Sequence, residues 1–338
     1  MKFVTYANQQ NKMKLGLYIQ GKVYDIEEQG KKANLLLPSS MKELLEESEK
    51  LQPLCKILSD QIFDKPTSFS DVKEYVLKAP VPHPTSCRDG YAFRQHVETM
   101  RKNRGAEMSP EFDQFPVFYF TNHNAIVGPG DIELERDHFE KLDFELEVAI
   151  VVGKRGINIS AQEADDYIFG YTIMNDLSAR QLQMEEMKLS LGPAKGKDFG
   201  TAIGPYLVTT DELSDYHVST PDGDKYDLKM IAKHNGKLIS EGNLKTMNWT
   251  FAQILERVSY GVEIYPGDVI GSGTVGTGCY AEINGTAARK AAELKDTYEP
   301  QWLKEGDVIE LEVEGLGNLK NTMVRKKVDR SILEKKRG

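Results

Sequence analysis

At 338 residues, the chain is long enough for one large domain or two unequal ones. Its 40% hydrophobic and 28% charged content is typical of a soluble globular protein, and the net charge of -9 argues against nucleic acid or an anionic membrane as the main partner. The three cysteines are widely spaced, and no segment resembles a signal peptide or a membrane span, so we expect a cytoplasmic protein.

The N-terminal segment has a short β pattern followed by a helical one. Residues 2–6 and 15–19 predict strands, and residues 21–26 predict a hairpin return. Ser40 and Glu43 form a capping-box pattern, which predicts a helix to about residue 60. The proline-rich residues 79–84 predict a boundary between a small domain at 1–78 and a larger domain at 79–338.

Reactive side chains first gather in residues 88–105, RDGYAFRQHVETMRKNRG. This pattern predicts a helix that carries Asp89, Tyr91, Arg94 and His96 within one or two turns. Asp89 could be an oxygen ligand for a cation, and His96 could be a general base near pH 7. The alternative is an exposed amphipathic helix that happens to contain a histidine.

Residues 142–154, LDFELEVAIVVGK, predict a strand buried on both faces beyond Glu147. Alternate residues of a strand face the same side, so Asp143, Glu145 and Glu147 would share one face. Carboxylates this close repel one another, and oxygen ligands suit Mg²⁺, Mn²⁺ or Ca²⁺. A solvated acidic strand face is the alternative from this segment alone.

Residues 170–174 predict another buried strand, and the polar segment after it predicts a helix. Asp176, Arg180 and Gln183 are spaced to form one helical stripe, which would offer an acid, a guanidinium and an amide to one cavity. A surface Asp–Arg pair is the alternative. The following loop, LGPAKGKDFGT, places Lys195 and Lys197 close to these acids.

The chain from Gly204 onward predicts strands with one helix, at residues 250–258. Glycines are dense in residues 271–278 and again in 315–317. Such density indicates tight strand reversals or a close approach of the backbone to a ligand.

Several ordered segments resemble the fumarylacetoacetate hydrolase family over roughly residues 80–325. They are RDGYAFRQH, FPVFYFTN with VGPGD, DFELEVAIVVGK, MNDLSARQLQ, LGPAKGKDFGT, PGDVIGSGT and EGDVIELEVEGLGNLKN. The resemblance implies a β-rich α+β fold, in which a mixed β-sandwich roll forms the catalytic domain and a small β-rich, barrel-like domain precedes it. It also implies a homodimer.

The resemblance further implies roles for individual residues. Metal ligands would be Asp89, Glu145, Glu147 and Asp176, with Asp143 as a neighbour only. His96 would activate water, oriented by Glu282, while the groups that stabilise an oxyanion would be Arg180, Gln183 and Lys197. Thr201 would support Lys197, and substrate contacts would come from Tyr91, Arg94, Tyr119 and Thr274. Either Arg101 or Arg104 would bind a distal carboxylate.

These roles predict a divalent-metal hydrolase that cleaves a C–C bond in a β-diketo acid such as fumarylacetoacetate or an acylpyruvate. Mg²⁺ is the favoured ion, with Mn²⁺ or Ca²⁺ as alternatives. The RQH segment favours this reaction. The alternative is a decarboxylase, isomerase or dehydratase of the same family, acting on oxaloacetate or a muconate-type acid, which needs no activated water. A non-enzymatic binding protein is a third possibility.

Overall fold

The computed structural model describes residues 1–328 and 330–335. The strands are β1 (Lys2–Ala7), β2 (Met13–Ile19), β3 (Lys22–Asp25), β4 (Val76–Leu77), β5 (Cys87–Gly90), β6 (Phe118–Thr121), β7 (Ile126–Val127), β8 (Gly130–Leu134), β9 (Leu142–Asp143), β10 (Leu146–Val152), β11 (Ile168–Asp176), β12 (Ser178–Ala179), β13 (Thr201–Thr209), β14 (His217–Val218), β15 (Lys225–Tyr226), β16 (Lys229–His234), β17 (Lys237–Asn243), β18 (Val269–Gly271), β19 (Val308–Val313) and β20 (Gly317–Arg325). The α-helices are α1 (Ile26–Lys32), α2 (Met41–Glu46), α3 (Ser48–Asp64), α4 (Arg94–Asn103), α5 (Ala161–Ala164), α6 (Arg180–Met187), α7 (Phe251–Ser259) and α8 (Tyr280–Glu293).

Two sheets pack face to face. The larger follows the order β3-β2-β1-β13-β11-β10-β18-β5-β6, with β4 and β7 added at its side, and the smaller follows β17-β16-β19-β20-β8. Most neighbours are antiparallel, but β5 pairs with β18, β7 with β13 and β8 with β20 in parallel. The β-rich α+β prediction is confirmed.

Strand β10 is buried on both faces, as its apolar run predicts. Val148 and Ile150 pack in the core between the sheets. Ala149 and Val151 face a second core on the opposite side, which contains Leu58 of α3. The alternation follows from the two-residue period of a strand.

The N-terminal strands extend the large sheet. Phe3 of β1 pairs with Leu207 of β13, and the described strands close no barrel there, so the barrel-like expectation is wrong. The domain boundary near residue 78 stays a prediction. Ser40 caps a helix as predicted, but the helical segment consists of α2 and α3 and extends to Asp64.

Three local predictions need correction. Asp89 lies in β5, not in a helix with His96, because residues 87–90 pair with β18 and β6. The strand predicted over 142–154 is split between β9 and β10, with Glu145 between them. The region after Gly204 contains two α-helices, since α8 follows α7. Across the described ranges, no helix is long and apolar enough to span a membrane.

Candidate active site

Four buried carboxylates meet at one end of the large sheet. One oxygen from each of Asp89, Glu145, Glu147 and Asp176 lies within 4.8 Å of the other three. The strand order β11-β10-β18-β5 brings the acids together, and the short strand β18 lies between two of the strands that carry them. The spacing suits a single cation with oxygen ligands.

Gly271 of β18 makes this convergence possible. It pairs with Asp89 in the parallel register, and a Cβ at this position would lie 2.3 Å from the Oδ1 atom of Asp89. The next turn holds the same oxygen, because the backbone N–H of Gly273 donates to it at 3.0 Å. The glycine-dense segment therefore admits an acid into the interior of the sheet.

Burial and mutual repulsion disfavour the ionised forms of three of these acids, Asp89, Glu147 and Asp176. Burial, together with the charge of Asp176, raises the pKa of Asp89 to about 7. Burial and the charge of Asp89 raise the pKa of Glu147 well above its ordinary value. Burial also raises the pKa of Asp176. The cluster is therefore short of positive charge.

Lys197 and Arg180 supply part of that charge. Lys197 Nζ lies 2.5 Å from Glu145 and 2.6 Å from Asp176, and Arg180 Nη2 lies 2.7 Å from Glu145. Burial acts against ionisation of Glu145, but the charges of Lys197 and Arg180 outweigh it and lower its pKa to about 2. Glu145 is thus an ionised carboxylate with two cationic neighbours.

Two carboxylate oxygens fit the requirement for a metal ligand. Glu147 Oε2 and Asp176 Oδ1 are buried and have no hydrogen-bond partner among the described residues. A buried acceptor without a partner is costly, and a divalent ion with an oxygen-rich shell would satisfy both atoms. The Thr201 hydroxyl is also buried, has no partner in the described part of the chain, and lies next to Asp176 in the sheet register.

His96 and Glu282 form a buried pair beside this cluster. His96 Nδ1 lies 2.6 Å from Glu282 Oε2. The histidine comes from α4 and the glutamate from the first turn of α8, so the pair depends on how these helices pack. Since Nδ1 faces the carboxylate, Nε2 is the ring nitrogen left for chemistry in the cavity that His96 lines.

Asn103 and Gly285 hold the two helices together. The Asn103 amide donates to the backbone carbonyl of Glu282 and to the Thr286 hydroxyl, both at 3.1 Å. A Cβ on Gly285 would lie 2.7 Å from that amide nitrogen. The close approach of α4 and α8 places Glu282 against His96.

Asp143 lies outside the group of four carboxylates. Its fully buried carboxylate accepts hydrogen bonds from the backbone N–H groups of Tyr280 at 2.7 Å and Ala281 at 2.9 Å, and from Arg180 Nε at 2.8 Å. Cys279, at the N-cap of α8, makes no side-chain cap. Asp143 therefore caps α8 from a distant strand and orients Arg180.

We expect Asp143→Asn to destabilise the protein by about 3 kcal/mol, because it removes a buried charge that pairs with Arg180 and caps α8. Urea denaturation monitored by circular dichroism measures the change in unfolding free energy. Asp131→Asn, at an exposed position in β8, is the matched control and should lie within about 0.5 kcal/mol of the parent. Equal stabilities for the two variants would contradict the capping role.

The loop that carries Lys197 is fixed by Glu186 of α6. The Glu186 carboxylate accepts from the backbone N–H groups of Ala194, Lys195 and Gly196 at 2.9, 2.7 and 3.1 Å. The sequence offers no signal for this contact, since an acid five residues before a glycine-rich loop is common. The loop thereby packs on the helix that provides Arg180.

His138 stacks on Phe199 of the same loop, with ring centroids 4.0 Å apart. Its Nδ1 accepts from the backbone N–H of Glu135, as a neutral imidazole can. Burial and the charge of Lys195 lower the pKa of His138 to about 4, with a further lowering by Lys326, and the charges of Glu135 and Asp137 oppose them. The loop is therefore held by a histidine that is neutral when folded.

Between pH 6.5 and 4 the unfolded chain takes up a proton that folded His138 does not, so stability falls as pH falls. We expect this residue to contribute up to about 3 kcal/mol to that loss. Chemical denaturation at both pH values should show a smaller decrease for His138→Gln than for the parent. His123→Gln, at an exposed position, should keep the parent's decrease; equal decreases for both variants would contradict this role.

A cavity of about 530 Å³ opens above the acids. Several predicted site residues line it: Asp89, Tyr91, His96, Tyr119, Glu145, Arg180, Gln183, Lys197 and Thr274. The Tyr119 hydroxyl contacts Asp176, and Thr274 Oγ1 lies 3.3 Å from Glu147. Gln183 accepts from Arg180 Nη1 at 3.0 Å.

Arg94 lies outside the cavity lining, although we predicted a substrate contact for it. Its guanidinium pairs with Asp113 and lies over the Phe112 ring. Arg101 and Arg104 both line the cavity. Arg101 Nε donates to the backbone carbonyl of Glu107, whereas Arg104 is exposed.

Asp176, Arg180 and Gln183 do not form one helical stripe. Asp176 ends β11, and α6 begins only at Arg180. The intervening residues pair with β9, where Ser178 faces Asp143. The side chains nevertheless converge, since Lys197 bridges Asp176 and Glu145 while Arg180 contacts Glu145.

Known proteins are similar to this chain in sequence and in fold. The family model described as Fumarylacetoacetate (FAA) hydrolase C-terminal matches residues 85–324. Oxaloacetate tautomerase YisK of Bacillus subtilis is 30% identical over 338 residues, spanning 95% of this chain and 99% of that protein. The mitochondrial oxaloacetate tautomerase FAHD2B of Bos taurus is 31% identical over 292 residues, 85% of this chain and 81% of that protein. A fumarylacetoacetate hydrolase structure from Exiguobacterium antarcticum has a TM-score of 0.69 and 26% identity, covering 96% of this chain and all of that one.

Proposed function

Because the chain belongs to the fumarylacetoacetate hydrolase family, we propose that it is a divalent-metal-dependent tautomerase of a 2-oxo acid of the oxaloacetate type. The observation that carries the proposal is the cluster of four carboxylates within 4.8 Å, beside the His96–Glu282 pair. Relatives named as oxaloacetate tautomerases favour this isomerase reading over the C–C hydrolase that the sequence first suggested.

The cluster would hold the cation through Asp89, Glu145, Glu147 and Asp176. A shell of oxygens favours Mg²⁺ or Mn²⁺. When bound, the ion would supply Lewis-acid polarisation of the ketone and the neighbouring carboxylate of the substrate.

Ketonisation moves one proton from the enol oxygen to the neighbouring carbon, so an O–H bond breaks and a C–H bond forms, and enolisation is the reverse. His96 Nε2 would take the proton from oxygen and deliver it to carbon, while Glu282 stabilises the imidazolium between the two steps. Arg180 and Lys197, already positioned by Glu145, would stabilise the negative charge that develops on oxygen.

The test measures the rate at which enol oxaloacetate is converted to its keto form. The loss of enol absorbance reports this rate. Protein treated with EDTA should give the buffer rate, and Mg²⁺ or Mn²⁺ should restore a rate at least about 100-fold higher. Ca²⁺ serves as a comparison ion. Failure of every ion to accelerate ketonisation would overturn the proposal.

C–C hydrolysis is a second candidate, because the buried His96–Glu282 pair is also suited to activating water. Proton NMR separates the two reactions. Acylpyruvate would yield pyruvate and a free acid on hydrolysis, whereas tautomerisation leaves the carbon skeleton intact. Homodimer formation and a cytoplasmic location stay predictions from the sequence.

A further inference from the structure

The cavity above the carboxylates has two chemically different parts. Its floor is polar, with Asp89, Glu145 and Lys197. Away from the floor, α4 presents Val97 and Met100, one helical turn apart, to the same space. A substrate bound at the floor by its 2-oxo acid group would therefore extend along an apolar helix face.

Aromatic side chains form the facing wall. Phe112, Phe115 and Phe118 line the cavity from the segment that leads into β6. Tyr91 lies edge-on to Phe112, with ring centroids 6.5 Å apart, and joins the aromatic wall to the polar floor. Such a wall gains free energy from covering apolar atoms and gains little from a second carboxylate.

The mouth also exposes apolar surface. Val117 is 42% exposed and Met187 is 45% exposed, and both line the cavity. Apolar surface left open around a polar cleft marks a place that a ligand covers. The cavity's 530 Å³ is in the range of about 300–1,000 Å³ that holds drug-sized ligands, and a four-carbon diacid would leave the apolar walls in water.

The two arginines that line the cavity do not make it favour a second carboxylate over an apolar substituent. Arg101 is only half-buried and donates its Nε–H to the backbone carbonyl of Glu107, and Arg104 is exposed to solvent. A charge pair at an exposed position contributes little affinity because water and salt screen it.

We propose that the preferred substrate is a 2-oxo acid with an apolar alkyl or aryl substituent, which packs against Val97, Met100 and the phenylalanine wall. Oxaloacetate would still be tautomerised, as the proposed function requires, but would bind less tightly than such an acid. The inference rests on the proposed function for the orientation of the acid group at the floor. It goes beyond that function by specifying the substituent that the substrate carries next to its reacting carbons.

The first test uses unreactive oxamates, which mimic 2-oxo acids. Calorimetric titration of the Mg²⁺-loaded protein compares oxamate, N-ethyl, N-butyl and N-phenyl oxamate, with N-oxalylglycine as the diacid. We expect affinity to rise about threefold to fourfold per methylene, so that N-butyl oxamate binds at least tenfold more tightly than both oxamate and N-oxalylglycine. Equal binding across the series, tighter binding of N-oxalylglycine, or no binding of any oxamate would overturn the inference.

Met187→Gln tests the apolar lining at the mouth of the cavity, with Met184→Gln as the matched control on the same helix. Met184 is 46% exposed and does not line the cavity. We expect Met187→Gln to weaken N-butyl oxamate binding about threefold to tenfold while leaving oxamate binding unchanged, and Met184→Gln to change neither. Loss of affinity for oxamate and N-butyl oxamate alike in Met187→Gln would contradict an apolar contact.

Turnover separates this inference from the proposed function. If oxaloacetate is ketonised but alkyl oxamates bind no better than oxamate, the inference fails and the tautomerase proposal stands. If alkyl oxamates bind tightly but no 2-oxo acid is tautomerised with any ion, the tautomerase proposal fails and the assignment of the apolar walls stands.

Discussion

Glu147→Gln should abolish the response of the protein to divalent ions. Wild-type protein is expected to unfold at a higher temperature with Mg²⁺ or Mn²⁺ than with EDTA, because a ligand that binds only the folded state stabilises it. The variant should show no such difference. Its ketonisation rate should fall at least about 100-fold, since a ligand of the ion is lost.

The same substitution should stabilise the metal-free protein. Glu147 is fully buried, one of its oxygens has no partner among the described residues, and burial with the Asp89 charge raises its pKa well above the ordinary value. A neutral amide of the same shape removes that repulsion. We expect an unfolding free energy about 1–3 kcal/mol higher than that of the parent in EDTA at pH 7.

The matched control is Glu133→Gln, an exposed position in β8. It should leave the ion response, the ketonisation rate and the stability in EDTA unchanged. Glu147→Gln should make the metal-free protein more stable and the metal-treated protein inactive. A metal ligand gives this combination, whereas a purely structural acid does not. A variant that still gains thermal stability from Mg²⁺ would contradict the metal assignment.

The acids of the site could be predicted although some of their local structure was not. The local pattern predicts a helix at Asp89, but residues 87–90 form a strand because they pair with residues distant in sequence. Likewise, the helical stripe from Asp176 fails where Ser178 pairs with Asp143. Local periodicity contains no information on such pairings, whereas the resemblance assigned each acid by its motif.

Helix α8 shows why the rest was missed. Its sequence has Cys279 at the N-cap and Gly285 inside, which are poor helix signals. The missing cap comes from Asp143, more than a hundred residues earlier, and the glycine is required where Asn103 of α4 packs closely. Both features become intelligible only from tertiary contacts, so Glu282 could be predicted from resemblance but not from its own segment.

The pairing of the N-terminal strands with the large sheet is also set by tertiary contacts that the local sequence does not reveal. The alternation in residues 2–6 predicts a strand, but not its partner. In the fold, β1 pairs with β13 on one side and β2 on the other, so Phe3 lies in a core shared with Ile203 and Leu207. Pairing of strands two hundred residues apart is set by the complete core rather than by either segment.

His96→Gln should reduce kcat for ketonisation about 100-fold to 10,000-fold, because the variant cannot take up and return a proton. Glutamine can still donate a hydrogen bond to Glu282, so the buried carboxylate 2.6 Å from Nδ1 keeps a partner and the fold should be retained. The KM is expected to change less than about threefold, and the Mg²⁺-induced rise in unfolding temperature should persist. Stopped-flow enol absorbance and thermal melts measure these quantities.

His123→Gln is the control, since His123 is exposed in a short 3-10 helix, and it should match the parent in every assay. Glu282→Gln should have a smaller effect than His96→Gln, because it leaves the imidazole in place but removes the charge that stabilises its protonated form. A His96→Gln variant that keeps a third or more of the parent's kcat would exclude His96 as the proton carrier. Loss of the Mg²⁺ response in that variant would instead show that the histidine supports the carboxylate cluster.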